Sequence, residues 1–514
     1  MGLRKELNLT SLTMAVVTGT IGSGWLFAPY FAAQLAGAGS LLAWLLGGFL
    51  ALLLALVFAE LGSLVPNSGA LAQIPLLTHG RLSGFIGGWS VWLSYVTIPT
   101  IELLALLQYL SSSLPWLTHV QGNRQLLSPA GQIVAVILLV LLCWINLLGV
   151  QTLSRWINLL TAWKLIVPVL VSIVLMVISS HWSNLAVPVG GDGADVVRAV
   201  GSGGILFSLL GFRTAMDLAG EARKPARDVP LAMATGLGIC LLLYITLQLS
   251  FLISVPPTEL GNGWHGLMLS AHGGPVVALA MGFGLGWMVI ILLVDALVSP
   301  GATALNYMGV SARIIWMMGK CGLLPKALGR LNHQDVPHVA ITLSMVVSAL
   351  MLAIGPGWQT VVNFLTTTLI IALATGPVSL LALRRQMPDA HRGYRLPMAD
   401  WICRLAFVTA TWSISWCGRT ALEGSVVCIA IPTLIFAAGR CWQENGMEVR
   451  PALWWALYLG LLVGDLQLFS EGQPLALPTP ANMAVLAVMA LIVLPIAVGS
   501  ALPEKSPHAL LGTE

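Results

Sequence analysis

Charge is scarce in this sequence. Only 9% of its 514 residues are Asp, Glu, Lys or Arg and 57% are hydrophobic, which excludes an ordinary soluble protein. The seven cysteines include no Cys-x-x-Cys pair, so neither a disulfide framework nor a metal site is indicated. The cations form no basic tract, and the net charge of +4 gives no reason to expect a nucleic-acid partner. The composition instead predicts a protein of the lipid bilayer.

Histidine is missing from the middle of the long apolar runs. All nine histidines fall in loops between these runs or at their edges, whereas a membrane enzyme would need clustered metal ligands or a nucleophile at depth. A channel is ordinarily a symmetric pore lined by rings of carbonyls or charges, and nothing in the sequence repeats in that way. An enzyme and a channel are therefore disfavoured, and no metal or cofactor is expected.

Long apolar runs are what the sequence has in abundance. Taking runs of roughly 17 to 25 apolar residues as membrane spans predicts about fourteen, with twelve as a smaller alternative. Nineteen of the 24 lysines and arginines then lie on the side of the N-terminus. Because cytoplasmic loops retain such cations, both termini are expected in the cytoplasm. The predicted spans are 10–35, 40–64, 84–111, 130–149, 156–179, 199–219, 229–254, 274–302, 338–355, 359–382, 403–421, 424–440, 452–469 and 482–502.

The first span is interrupted by glycine. Gly19, Gly22 and Gly24 lie in one stretch of six residues, 19–24, and each glycine weakens a helix. Irregular backbone at bilayer depth survives only where it is buried in protein or lines a cavity. A broken helix turns its free amides and carbonyls toward the contents of that cavity. The interruption therefore predicts a transporter binding site.

The sixth span repeats this feature. Residues 201–204 read Gly-Ser-Gly-Gly, residues 207–212 cross the middle of the span, and Arg213 and Asp217 are ionisable residues at helical spacing. Because five is an odd number, a second unit of five spans enters the membrane from the opposite side, and inverted units of this kind are a recurring transporter plan. The binding site is expected between helices 1 and 6, near the midplane.

Four stretches of the sequence resemble the amino acid-polyamine-organocation (APC) superfamily of transporters. The first is the Gly-Ser-Gly break at residues 22–24, and the second runs from Ala-Glu-Leu at residues 59–61 to Gly-Trp at residues 88–89. The third is the loop 221–230, with its Lys-Pro and Arg-Asp-x-Pro strings, and the fourth is the basic loop 311–325. Residues 22–27 and 295–301 further resemble the bacterial aspartate:proton symporter branch.

The resemblance implies an all-α integral membrane protein of the bacterial inner membrane, with a LeuT-like 5+5 inverted-repeat core and discontinuous helices 1 and 6. Residues 1–385 would form this ten-helix core, as a first repeat, 1–180, and a second repeat, 195–385. Residues 386–514 would add four C-terminal transmembrane helices and a short tail. The segment 311–330 mixes tryptophan and leucine with basic residues, and it is expected to form an interfacial helix on the cytoplasmic leaflet.

The broken helices offer partners for both charges of an amino acid, because free amides end one half-helix and free carbonyls end the other. The alternative is that the glycines merely permit close helix packing, as small residues do in membranes. We expect the substrate carboxylate to face the backbone of Ser23, Gly24 and Trp25, and we count Gly22 as a further substrate-binding residue. We expect the substrate ammonium to face carbonyls or hydroxyls of Thr18, Gly19, Ile21, Phe207, Ser208 and Gly211.

Lys164 lies in an apolar run, where a fixed charge costs roughly 2.5 to 3.5 kcal/mol. With Arg155 marking the cytoplasmic end, Lys164 stands about 13 Å into the span at 1.5 Å per residue, which makes snorkelling to the surface a poor account of it. In proton-coupled members of the superfamily, a lysine of helix 5 occupies the place where sodium-coupled members hold their ion, and Lys164 matches it. The resemblance therefore implies that Lys164 exchanges the coupling proton.

Glu102 in helix 3 and Asp295 in helix 8 are carboxylates inside spans. Neither has an opposite charge nearby in sequence, so each either pairs across helices, for instance with Lys164 or Arg213, or takes part in a proton pathway. Both interpretations stay open. Glu60, near the cytoplasmic end of helix 2, is interpreted as structural.

Arg213 follows the Gly-Phe pair of helix 6, where many superfamily members have an acidic residue. A guanidinium suits a carboxylate, so an acidic substrate side chain would fit. Asp217 stands four residues further on and offers the alternative of an internal Arg-Asp pair. The resemblance to the aspartate branch favours the first interpretation, and with it a dicarboxylic amino acid as the substrate.

The sequence therefore predicts a secondary active transporter that takes up an amino acid with protons by alternating access, aspartate or glutamate being slightly favoured. The alternative is an exchanger of the same fold for neutral or cationic amino acids. Lys164 favours the symporter, because an exchanger has no need of a titratable group at the coupling position. The expected partners are the amino acid, protons as coupling ions, and the lipid bilayer.

Overall fold

The computed structural model describes residues 7–65, 70–121, 124–148, 154–179, 181–188, 194–269, 273–332, 336–441, 449–470, 473 and 475–503. These residues form twenty α-helices and one two-stranded antiparallel hairpin. The elements are α1 (Leu9–Thr20), α2 (Gly24–Ala36), α3 (Ser40–Leu64), α4 (Ala70–Val96), α5 (Ile98–Leu110), β1 (Thr118–Gln121), β2 (Arg124–Leu127), α6 (Pro129–Leu147), α7 (Ser154–Ile178), α8 (Ala194–Ser202), α9 (Ile205–Leu209), α10 (Thr214–Asp217), α11 (Pro225–Ser254), α12 (Pro275–Gly282), α13 (Gly286–Lys320), α14 (His338–Ala353), α15 (Trp358–Leu373), α16 (Thr375–Gln386), α17 (Ala399–Trp416), α18 (Arg419–Cys441), α19 (Leu453–Leu468) and α20 (Thr479–Gly499).

Helices occupy each of the fourteen predicted spans, and the all-α membrane fold is confirmed. Within the described residues, nine helical stretches are long and apolar enough to cross a membrane, or ten when the bent pair α8 and α9–α10 counts as one span. Part of the difference from fourteen arises because the stretch Gly24–Leu64 joins α2 and α3 across a short turn. Another part arises because α1, α14 and the apolar portion of α7 are shorter than eighteen residues.

Helices 1 and 6 are discontinuous, as predicted. α1 ends at Thr20 and α2 begins at Gly24, and between them Ile21 has an extended backbone with φ −87° and ψ 91°. Helix 6 bends by 55° between α8 and α9. The bend includes Gly204, whose φ of +83° lies in the left-handed region that glycine adopts without steric cost. A 3-10 turn, Leu210–Arg213, then interrupts helix 6 a second time.

Equivalent helices of the two predicted repeats pack against each other. α2 contacts α8, α3 contacts α11, α5 contacts α13, and α6 contacts α14, so helices 1 to 4 lie against helices 6 to 9 in order. α1 lies against the 3-10 turn of helix 6 and against α10. This packing places the two breaks side by side in the core, where Ile21, Ser23 and Leu209 are fully buried.

The C-terminal helices lie against the outside of this core. α17 packs on α3, α8, α15 and α16, while α18 packs on α4 and α15. α20 contacts α16 and α17, and α19 contacts α20.

Two expectations about helix 8 are wrong. The span predicted to begin at residue 274 is divided, because Gly284 adopts a φ of +69° after α12 and α13 begins only at Gly286. α13 then continues to Lys320, so residues 311–320 extend helix 8 and form no separate interfacial helix. The physical reason is that the helix meets no left-handed glycine between Gly286 and Lys320, and the next one, Gly322 with a φ of +68°, follows its end.

Candidate functional site

The N-terminus of α2 holds a carboxylate of the protein itself. The backbone N–H of Ser23 donates to Glu102 Oε2 at 2.8 Å, and the Ser23 hydroxyl accepts from Trp358 Nε1 at 3.0 Å. Gly22 makes room for this carboxylate, because a Cβ there would lie 2.5 Å from Glu102 Oε1. Ser23 is fully buried and Glu102 is 1% exposed. The break of helix 1 therefore presents an amide to a carboxylate, as expected of an anion site.

The carbonyls near the end of α1 hold an ammonium, that of Lys164. Its Nζ donates to Ile21 O at 3.1 Å, to Thr18 O at 3.3 Å and to the Thr303 hydroxyl at 2.6 Å. Lys164 is fully buried. Because Lys164 lies on α7 and Thr303 on α13, one side chain joins helices 1, 5 and 8.

Asp295 of α13 contacts α2, the helix that follows the same break. The indole Nε1 of Trp25 donates to Asp295 Oδ2 at 3.2 Å, and both residues are fully buried. Lys164 interacts electrostatically with Asp295 and with Glu102. The structure thus brings together the three residues that the sequence analysis associates with proton coupling.

The glycines at the breaks also allow helices 1 and 6 to approach closely. A Cβ at Gly211 would lie 2.5 Å from the Thr20 Cα, and a Cβ at Gly19 would overlap the Thr214 hydroxyl. At Gly24 a Cβ would meet helix 6 in the same way. These three glycines therefore pack helices together, as the alternative interpretation has it, while Gly22 gives space to a charged side chain of the protein.

Helix 6 contributes an aromatic ring and a hydroxyl beside the break. The Phe207 ring is half-buried and meets the Trp358 ring edge-on, with centroids 5.9 Å apart. The Ser208 hydroxyl donates to Gly204 O at 2.9 Å and lies opposite Gly24. These predicted residues lie at the contact between the two broken helices.

Arg213 is enclosed by two tyrosines. Its guanidinium lies 4.8 Å from the ring centroid of Tyr95 and 5.4 Å from that of Tyr307, and Nη1 donates to Leu210 O at 2.7 Å. The Tyr95 hydroxyl donates to Asp217 Oδ2 at 2.8 Å, so Tyr95 stands between the two charges. In the described part of the chain, Arg213 Nε has no hydrogen-bond partner. The direct Arg213 to Asp217 pair considered from the sequence is not the arrangement observed.

Sequence reasoning missed the residues that cover and anchor the break from other helices. Trp358, the first residue of α15, stacks on Phe27 with centroids 4.9 Å apart and on Phe31 with centroids 5.6 Å apart. Thr303 supplies the shortest contact to Lys164. The Gly-Pro-Gly string before Trp358 signals a helix start, but nothing local shows that an indole or a hydroxyl will reach helix 1.

Two broken helices lie side by side, and buried ionisable side chains contact backbone groups at the break of helix 1. These features define a multi-pass membrane transporter. Residues 7–462 match the family model described as amino acid permease. The chain therefore belongs to the amino acid permease family of the APC superfamily, and it is a transporter and not an enzyme.

The chain is similar to several characterised transporters. It is 31% identical over 471 residues to the glutamate/serine transporter AimA of Bacillus subtilis (strain 168), which covers 89% of this chain and 86% of the relative. It is 28% identical over 471 residues to an aspartate-proton symporter of the same organism, with 90% and 89% covered. It is 27% identical over 399 residues to cationic amino acid transporter 4 of Homo sapiens, with 75% and 60% covered.

Proposed function

We propose that the protein takes up an amino acid together with protons, by alternating access. The observation that carries this proposal is the position of Lys164, whose Nζ binds two carbonyls of helix 1 and the Thr303 hydroxyl of helix 8 at once. A charged donor binds such oxygens about twice as strongly as a neutral one. The protonated side chain therefore holds helix 1 to helices 5 and 8, and loss of the proton loosens this connection.

The two buried carboxylates supply a route for that proton. Glu102 and Asp295 both interact electrostatically with Lys164, and each has one carboxylate oxygen without a partner among the described residues. Ionisable groups enclosed in a membrane bundle ordinarily serve such pathways. The similarity to an aspartate-proton symporter supports the same proposal.

We propose an acidic amino acid as the favoured substrate. Arg213 lies two residues after Gly211, which touches helix 1 at Thr20, and its guanidinium keeps an unused Nε donor. A guanidinium binds a carboxylate through paired hydrogen bonds. The names of the glutamate/serine transporter and the aspartate-proton symporter agree with this choice.

An exchanger for neutral or cationic amino acids is the second candidate. The similarity to cationic amino acid transporter 4 favours it. Arg213 argues against a cationic substrate, because its buried guanidinium would repel a second cation beside it.

We propose that both termini lie in the cytoplasm of a bacterium and that the protein resides in its inner membrane. The support is the asymmetry of charge, with nineteen of 24 lysines and arginines on one side of the predicted spans.

We also propose residues 1–385 as the transport core, because the two breaks and their partners Glu102, Lys164, Asp295 and Trp358 all fall within it.

The experiment that tests the proposal is uptake of labelled L-aspartate into proteoliposomes, with and without an imposed inward proton gradient. We expect accumulation that depends on the gradient in the wild type and is abolished in Lys164→Ala, since that variant has no titratable group at the coupling position. Exchange that is independent of the gradient and survives the substitution would contradict symport and favour the second candidate.

The substrate class is tested with the same vesicles and a panel of L-aspartate, L-glutamate, L-serine and L-arginine. We expect Arg213→Ala to reduce aspartate and glutamate uptake by at least about 10-fold, since a charge-assisted contact of roughly 1.5 to 3 kcal/mol is lost. Serine uptake should fall much less. Equal losses for all substrates would show that Arg213 supports the fold and does not select the substrate.

A further inference from the structure

Glu102 occupies the position that an amino acid carboxylate is expected to take. α2 is a thirteen-residue helix whose N-terminal amides carry partial positive charge. Glu102 lies on another helix, α5. Its side chain reaches the N-terminal end of α2, where its Oε2 accepts the Ser23 N–H at 2.8 Å. Its Oε1 lies beside Gly22 without a hydrogen-bond partner among the described residues, and the side chain is 1% exposed.

We propose that Glu102 is a tethered carboxylate that occupies the substrate-carboxylate site, and that substrate displaces it as Glu102 takes up one proton. The inference rests on the proposed function, which places the substrate carboxylate at the N-terminus of α2. Two carboxylates at one small site cannot both stay ionised without strong repulsion. The incoming carboxylate therefore favours protonation of the resident one, and binding of substrate and proton become a single event.

The step conserves charge at the helix end. One proton passes from water to a Glu102 carboxylate oxygen, and the hydrogen bond from the Ser23 N–H to Glu102 is replaced by one to the substrate carboxylate. The protonated Glu102 becomes a hydrogen-bond donor and no longer needs the helix amide. One negative charge faces the amide before and after the exchange.

Among the neighbouring ionisable groups, Glu102 is the one best placed to be displaced by a substrate carboxylate. From α7, Lys164 is fixed by three oxygens. From α13, Asp295 accepts from the Trp25 indole, and its other carboxylate oxygen has no hydrogen-bond partner among the described residues. From α11, the Tyr244 hydroxyl donates to Thr20 O at 3.1 Å. Glu102 competes directly with a substrate for a backbone N–H.

The test measures binding of L-aspartate and L-serine to the purified full-length protein at several pH values between 5.5 and 8.5. If one proton binds with each substrate, the apparent affinity of the wild type falls about 10-fold per pH unit once Glu102 is ionised. We expect Glu102→Gln to bind with an affinity that does not change with pH, because its amide does not titrate. Glu102→Ala is a second variant with the same expectation, should the glutamine protein fail to fold.

Asp465→Asn is the matched control, because it removes a buried carboxylate of α19 outside the site and should keep the wild-type slope. A wild-type slope retained in both Glu102 variants overturns the inference while leaving the proposed function in place. A slope lost in Asp295→Asn and kept in Glu102→Gln assigns the proton to Asp295 and also overturns it. If the wild type binds neither amino acid at any pH, the proposed function itself fails.

Discussion

At the scale of single residues, the break in helix 1 is stabilised by charges of opposite sign at its two ends. The carbonyl end of α1, which carries partial negative charge, contacts the Lys164 ammonium, and the amide end of α2, which carries partial positive charge, contacts Glu102. Hydrocarbon could not satisfy these backbone groups. The same two side chains therefore stabilise the irregular backbone, and under the proposed function they also make it respond to protons.

Gly211 tests the close contact between the two broken helices. Gly211→Ala would bring a methyl group within 2.5 Å of the Thr20 backbone, which cannot yield as a flexible side chain can. We expect a loss of about 1 to 3 kcal/mol of stability, as for other overpacked positions, and strongly reduced uptake. Thermal unfolding in detergent and aspartate uptake are the measurements.

Gly460→Ala in α19 is the matched control, because an added Cβ there meets nothing within 4 Å. Its unfolding temperature should stay near that of the wild type. A Gly211→Ala protein that unfolds and transports like the control would contradict the contact between helices 1 and 6.

Local sequence predicts which residues matter at this scale better than it predicts their partners. Lys164, Glu102 and Asp295 stand out because a charge in an apolar run is costly and needs a reason. Their contacts span 79 to 270 positions of the chain, so no local pattern indicates them. Thr303 and Trp358 carry no such signal, because threonine and tryptophan are ordinary residues of membrane helices.

At the scale of elements, a buried ionic cluster joins helix 2 to helix 10. Glu60 of α3 is fully buried and accepts from Arg384 of α16 at 3.0 and 2.6 Å. It also pairs with Arg392 Nε at 3.1 Å and accepts the Leu396 N–H at 2.7 Å. The arrangement agrees with the structural interpretation of Glu60, since three hydrogen bonds and a further ion pair converge on one carboxylate.

Glu60→Gln tests what this cluster contributes. The substitution leaves two enclosed guanidinium groups without their counter-charge, and removing one partner of a buried pair costs about 3 to 5 kcal/mol. Because Arg384 is 22% exposed, we expect a loss toward the lower end of that range. The exposed pair of Arg419 and Glu423 gives the comparison, and Glu423→Gln should cost no more than about 1 kcal/mol. Similar unfolding temperatures for the two variants would contradict a structural role for Glu60.

Element positions are predictable from hydropathy, whereas the ends of elements depend on single backbone conformations. The fourteen apolar runs correspond to helices because each run is long enough to satisfy its own backbone. The division of helix 8 at Gly284 and the bend of helix 6 at Gly204 depend on a left-handed glycine in each case. With 53 glycines in the chain, the sequence does not indicate which of them adopts that conformation.

At the scale of the whole molecule, two interruptions five spans apart indicate the architecture. The contacts of α2 with α8, α3 with α11, α5 with α13 and α6 with α14 follow the order expected of two inverted units. The positions of α17 to α20 around the core had no such signal, because these helices have no counterpart within the two units. α17 packs on α3, α8, α15 and α16, which places it beside α8 of helix 6 and beside α15, the helix of Trp358.

The most direct test of proton-coupled transport is the proton movement itself. Proteoliposomes that enclose a pH-sensitive dye, with no gradient imposed, should acidify inside when L-aspartate is added, in proportion to the aspartate taken up. Lys164→Ala should show no acidification under the same conditions. Aspartate uptake by the wild type without any change in internal pH would contradict the account.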